Sequence, residues 1–233
     1  MSADAFSLVR PREEYEDWIR RYLQVRYPEL VPPFRTALDG YERIKANGQV
    51  DGASLKPIIS AASSARSPLA DTAVYFLIDL IPQFQEVCDA VAAMFEATLW
   101  HARFNALRCL SLETPRDFVL PLLRRALHDG SGRVRGMAAR QIHLLGFPEL
   151  IPEMEGQLHG EQNQWARSKI EYHLGLLRDG FCVVPQGAQQ CYIWVTVEIG
   201  TLGRLVSRRD IDRKGIKRIV AEIRRNAATN ASR

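Results

Sequence analysis

The sequence predicts a mainly α protein: an α–α superhelix of paired helices, closed by a small C-terminal cap of β-hairpin plus helix. The first observation behind it is a repeat. Ala102-Arg103-Phe104-Asn105-Ala106, Val134-Arg135-Gly136-Met137-Ala138 and Ala166-Arg167-Ser168-Lys169-Ile170 share one pattern at intervals of 32 residues, with a further apolar residue four positions on at Leu110, Ile142 and Leu174. One interval earlier, Ala70, Val74 and Ile78 fill the same slots, with Asp71 in place of the arginine. Small and aliphatic residues at i, i+4 and i+8 with a period in the thirties mark a helical repeat array. The second observation is a matching pair of columns, Leu55, Val87, Val119, Ile151 and Ala62, Met94, Ala126, Leu158, in the partner helices. The third is a change of period after Asp179-Gly180, where Cys191 to Ile199 alternates as a half-buried strand does.

The N-terminal segment, 1–54, reads as two helices. Pro11 to Tyr27 opens on proline with Glu13, Glu14, Glu16 and Asp17 near its positive end, and buries Tyr15, Trp18, Ile19, Tyr22 and Leu23. Phe34 to about Ala46 follows, closed by Asn47-Gly48, and Gln49 to Ser54 is a polar loop. The repeats occupy 55–178 as units 55–81, 83–112, 115–146 and 148–178. Breakers separate their helices at Ser67-Pro68, Pro82, Thr114-Pro115, Gly130-Ser131-Gly132, Gly146-Phe147-Pro148 and Gly160. In the cap, 179–226, Phe181–Val184 and Cys191–Ile199 form the hairpin. Leu202–Val206 adds a short strand, and Ser207 or Asp210 caps a last helix carrying Ile216, Ile219, Val220 and Ile223. Residues 227–233 are expected to be disordered.

The repeat units resemble HEAT repeats of the armadillo-type class, particularly the short bacterial kind, over 55–178. Val134-Arg135-Gly136-Met137-Ala138-Ala139 is the best match to the apolar-Arg-x-x-Ala pattern of that family's second helices. The resemblance implies a solenoid, in which stacked units share one core and leave a long surface free. It implies little about chemistry.

Composition excludes more than it selects. Hydrophobic residues make up 46% and charged residues 25%, the balance of a soluble globular chain. No apolar run approaches the roughly 18–20 residues of a membrane span, and the start lacks the basic and apolar regions of a secretory signal. A cytoplasmic protein with no membrane partner is expected. Cys88, Cys109, Cys182 and Cys191 are too scattered for a zinc site and read as reduced thiols, with a Cys182–Cys191 bridge across the hairpin as the minor alternative. The net charge is +4, but Thr201–Arg233 alone carries ten Lys/Arg against three acidic residues, a local +7, so the preceding residues sum to −3.

Catalytic motifs are missing. There is no G-x-G-x-x-G, Walker loop, G-x-S-x-G or H-E-x-x-H. His101, His128, His143, His159 and His173 fall in different helices or at their ends with no second ligand at helical spacing, so neither a metal nor a cofactor is expected. The His-Glu pairs of di-iron HEAT-like hydroxylases are absent. The expected function is therefore non-catalytic binding of a protein partner on the solenoid face, as an adaptor or a toxin-neutralising immunity protein. His101, Arg133 and Trp165, which share one repeat position, form the expected binding row, with His143 beside them. The arginine column reads as structural, with Asp71 available to Arg103. The alternative is nucleic-acid binding by Arg208, Arg209, Arg213, Lys214, Lys217 and Arg218 of the basic C-terminal helix. HEAT-like DNA glycosylases cradle a duplex in a basic groove, whereas the repeats here are net acidic.

Overall fold

The computed structural model describes residues 9–197 and 200–231, with side chains to residue 229. The chain is mainly helical, with a small three-stranded antiparallel sheet near the C-terminus. It forms two compact units, one up to Leu123 and one from Arg124 on.

In the first unit, α1 (Arg12–Trp18) runs through a π-helical turn, Ile19–Leu23, into α2 (Gln24–Arg26). Tyr15, Ile19 and Leu23 are buried as the spacing predicts, while Trp18 and Tyr22 are partly buried. A 3-10 turn, Pro28–Leu30, leads into α3 (Val31–Asn47). This helix starts three residues before the expected Phe34 because Pro32 and Pro33 fit a first turn, where no N–H is required. It ends on Gly48 at φ 63°, a left-handed position that glycine takes without steric cost.

The polar loop expected to extend to Ser54 stops earlier. The Asp51 side chain accepts from the Ser54 backbone N–H at 2.8 Å, so α4 (Gly52–Ala62) begins at once. Here α3 and α4 approach closely: a Cβ on Gly40 would overlap the Ser54 backbone carbonyl. Backbone cannot rotate away as a side chain would. Gly40→Ala should therefore destabilise by about 1–3 kcal/mol through overpacking, measured as a lower urea midpoint; an unchanged midpoint would refute the close approach.

The remaining helices are α5 (Ser67–Leu80), α6 (Gln85–Phe95), α7 (Trp100–Arg108), α8 (Arg116–Leu127), α9 (Gly132–Leu144), α10 (Ile151–Gly160) and α11 (Gln164–Asp179). From α4 onward they alternate as the 32-residue interval requires, with turns at the anticipated breakers. Every residue of the second-helix columns is buried except Ile78, which is partly so. The α10 positions Ile151 and Leu158 are only partly buried.

The arginine column is structural, with Arg135 paired to Glu161 of the next unit, but the pairing expected for Arg103 is not made. Asp71 pairs with Arg108 at 2.6 Å, not with Arg103. Arg103 Nη1 donates to the carbonyls of Ala97 and Thr98, both at 2.7 Å. Arg135 Nη1 donates to the Asp129 carbonyl at 2.5 Å, and Arg167 Nη2 to the Glu161 carbonyl at 3.0 Å. In all three the acceptor lies six residues upstream, in the turn after the first helix of the same unit. Helix ends leave carbonyls without intrahelical partners, and a cation suits the negative end of the dipole. One arginine thus ties each of the second helices α7, α9 and α11 to the end of its first helix.

In the second unit, β1 (Phe181–Gln186), β2 (Gln190–Val197) and β3 (Gly200–Ser207) form the sheet in the order β1-β2-β3. Ile193, Val195 and Val206 on one face pack against Ile219, Val220 and Ile223. Cys191 lies buried on that face and Val197 is partly buried; Ile199, expected to continue it, lies outside the described residues. The register pairs Cys182 with Trp194 and Cys191 with Pro185, so the two cysteines point to opposite faces, and all four thiols are free. Ser207 is the cap, accepting from the Asp210 N–H at 3.1 Å. The expected single last helix is divided at Gly215 (φ 77°) into α12 (Arg208–Lys214) and α13 (Ile216–Ala231). α13 runs past Asn226, where the sequence predicts an end; residues 232–233 lie outside those described. Among the described residues no helix is long and apolar enough to cross a membrane.

Candidate functional site

The second unit brings α9, α11 and the outer face of the sheet around one cleft of about 520 Å³. Three local features build it. Asn163 caps α11, its side chain accepting from the Ala166 N–H at 3.0 Å. Gly136 leaves room on α9 for the Trp165 ring, which a Cβ there would overlap. Thr196 Oγ1 donates to the Leu176 carbonyl at 3.5 Å, tying β2 to α11.

Arg133, exposed on α9, lies over the Trp165 ring at 4.6 Å, and Lys169 approaches the same ring at 5.8 Å. Both are cation–π contacts. Seven residues along α9 from Arg133, and seven along α11 from Trp165, the same faces carry Arg140 and Tyr172, which line the cleft with Lys169. Trp194 lines it from β2, its ring edge-on to Tyr172 at 6.1 Å. Among the described residues no carboxylate forms an ion pair with Arg133, Arg140 or Lys169, and none lines the cleft.

At the floor, His143 Nδ1 and His173 Nδ1 are 3.4 Å apart. Burial pushes the His143 pKa down. Burial, then His143, Lys169 and Arg140, pushes His173 down to about 3. Both imidazoles are therefore neutral near pH 7, and one can donate its proton to the other.

The expected row is assembled in part. Arg133 and Trp165 are in direct contact, and His143 sits toward the other end of α9. His101 belongs to the first unit, partly buried on α7 and edge-on to Trp100 at 5.8 Å. Of the basic alternative, Arg213 pairs with Asp210 at 2.9 Å, Lys214 with Glu222 at 3.5 Å and Arg218 with Glu222 at 3.9 Å. Arg208, Arg209 and Lys217 are exposed. Three of the six thus have an acidic partner within the tail, although Lys214 and Arg218 share the single carboxylate of Glu222.

Arg140, Lys169, Tyr172, His173 and Trp194 are not in the predicted row. Extending the Arg133–Trp165 face by two helical turns would have found Arg140 and Tyr172, whereas nothing in the local sequence of β2 places Trp194 opposite α11. The first unit holds a larger cleft of about 660 Å³, walled by Tyr15, Trp18, Tyr22 and Tyr75. Its Asp71 is already engaged by Arg108 and by Ser67 Oγ at 2.7 Å, so the cleft of the second unit carries more unspent chemistry.

Among the described residues no group of three or more His, Cys, Asp or Glu is placed to hold a metal ion. No protein-family model, curated protein or solved structure matches the chain.

Proposed function

We propose that this chain is a non-catalytic binding protein, built on HEAT-like helix pairs, that holds an acidic protein partner on the exposed α9–α11 surface. One observation carries the reading: Arg133 stacks on Trp165 with no carboxylate to neutralise it among the described residues. Arginine and tryptophan are the residue types most enriched at binding hot spots, and an uncompensated cation favours an acidic counterpart. Adaptor and immunity roles both fit such a surface. Nucleic-acid binding through Arg208, Arg209 and Lys217 is the second reading, supported by their exposure and weakened by the pairing of Arg213, Lys214 and Arg218.

The test is capture of partners on the immobilised protein, with and without nuclease. A single nuclease-resistant protein should be retained by the wild type. Arg133→Glu should weaken it by about 30-fold or more, the size of a hot spot, with an unchanged unfolding midpoint. Retention that vanishes with nuclease and with Lys217→Glu, but survives Arg133→Glu, would replace this reading with the second.

A further inference from the structure

The cleft two helical turns along α9 and α11 from the Arg133–Trp165 pair has chemistry that a protein-docking surface does not require. We propose that it binds a small phosphate monoester carrying a planar ring, a nucleoside monophosphate in chemical class. The phosphate sits between Arg140 and Lys169 above the His143–His173 pair, and the ring lies against Trp194 and Tyr172.

Size is the first argument. A cavity of about 520 Å³ falls within the range of small-ligand sites, roughly 300–1,000 Å³. Charge is the second. Arg140 from α9 and Lys169 from α11 are two exposed cations on one cleft without an opposing carboxylate among the described residues. A phosphate monoester, whose second pKa is about 6, is a dianion near neutral pH and matches them. A monocarboxylate leaves one cation unanswered, and a triphosphate exceeds the pair.

The histidines are the third argument. His173 is 7% exposed, and its neighbour at hydrogen-bonding range is His143 rather than a carboxylate or a backbone carbonyl. The groups facing the pair are Arg140 on α9 with Lys169 and Tyr172 on α11; the strands contribute Val184, Trp194 and Thr201, which do not titrate, and on the same face Cys182, whose thiol burial pushes up to about 11. Burial opposes protonation of His143, and the two cations add to burial in opposing that of His173. A bound dianion reverses that field and raises the imidazole pKa, so binding takes up a proton and tightens as pH falls from about 8 toward the phosphate pKa near 6. The same two cations argue against a metal ion, although the imidazole nitrogens lie close enough to share one. The aromatic wall is the fourth argument: Trp194 stacks on Tyr192 at 5.6 Å, and Trp194 and Tyr172 are both only partly buried, leaving the remaining ring surface for a planar group.

This inference is independent of the protein-partner reading, because Arg133 lies outside the cleft lining. The test is calorimetry on the full chain with adenosine monophosphate, adenosine and inorganic phosphate as probes, in two buffers of different ionisation enthalpy. Adenosine monophosphate should bind about ten-fold or more tightly than either fragment, with net proton uptake. Arg140→Gln should weaken it by about 10- to 100-fold, the worth of a charged hydrogen bond, and His143→Gln should remove the proton uptake. Arg133→Gln should leave ligand binding unchanged, so the two readings fail separately. No heat at millimolar nucleotide, equal binding of adenosine, indifference to Arg140→Gln, or zinc binding more tightly than the nucleotide would each overturn the proposal. A 5′-phosphorylated tetranucleotide binding about ten-fold more tightly than the mononucleotide would overturn it in favour of a nucleic-acid end.

Discussion

Arg135→Ala should lower the unfolding free energy by about 3–5 kcal/mol, the cost of leaving a buried charge without its partner. Arg135 Nε and Nη2 hold the two oxygens of Glu161 at 2.6 and 2.5 Å, a bidentate fork, and Nη1 reaches the Asp129 carbonyl at 2.5 Å. The Glu161 side chain is fully enclosed. It also accepts from the Asn163 backbone N–H at 2.8 Å and from Gln157 Nε2 at 3.2 Å. Arg135→Lys should lose less, since it keeps the charge but not the fork.

The same site predicts a pH dependence. Hydrogen bonds from Arg135 lead the groups that hold Glu161 down to about 2, from an ordinary value of 4.5. A lowered folded pKa gives stability that is fully present above the unfolded value and lost as pH falls toward the folded one. The gap in stability between wild type and Glu161→Gln should therefore close between about pH 4.5 and pH 2. Urea midpoints across that range measure it, and a constant gap would show that the carboxylate charge is not what the arginine holds.

Phe76→Ala should cost about 3–5 kcal/mol in the first unit, the usual loss for a buried phenylalanine. Phe76 is 1% exposed on α5, stacked on Tyr41 at 4.6 Å with an interplanar angle of 16°, and edge-on to Tyr15 at 5.7 Å. Removing it leaves a cavity between rings that cannot close in, because Tyr41 is anchored through its hydroxyl to Asp79 at 3.0 Å. Thermal unfolding should fall by about 10 °C, and Phe76→Leu should restore most of it. A shift of only a degree or two would mean that the cluster collapses around the gap.

The helices were legible because burial leaves a periodic trace. Columns such as Val134, Ala138 and Ile142 repeat every 32 residues since each second helix buries the same stripe, and proline and glycine mark the turns whatever surrounds them. The strand alternation at Cys191, Ile193 and Val195 is legible for the same reason, as one face meets α13 and the other does not. Boundaries were less so. Asp51 starts α4 earlier than the polar composition of its loop suggests, because capping depends on one side chain meeting one backbone N–H.

The candidate site divides along the same line. Arg133 and Trp165 share a repeat position, and Gly136 permits their contact, so that much was written in the spacing. The partner of each arginine was not, because the repeat interval sets Asp71 opposite Arg103, whereas side-chain reach gives it to Arg108. The facing imidazoles of His143 and His173 are 30 residues apart, and Trp194 lies on a strand outside the repeats. Period and composition encode which face of an element is buried, since that follows from its own neighbours in sequence. Which polar groups then meet, and what charge they leave unanswered, depends on distances across elements that no local pattern records.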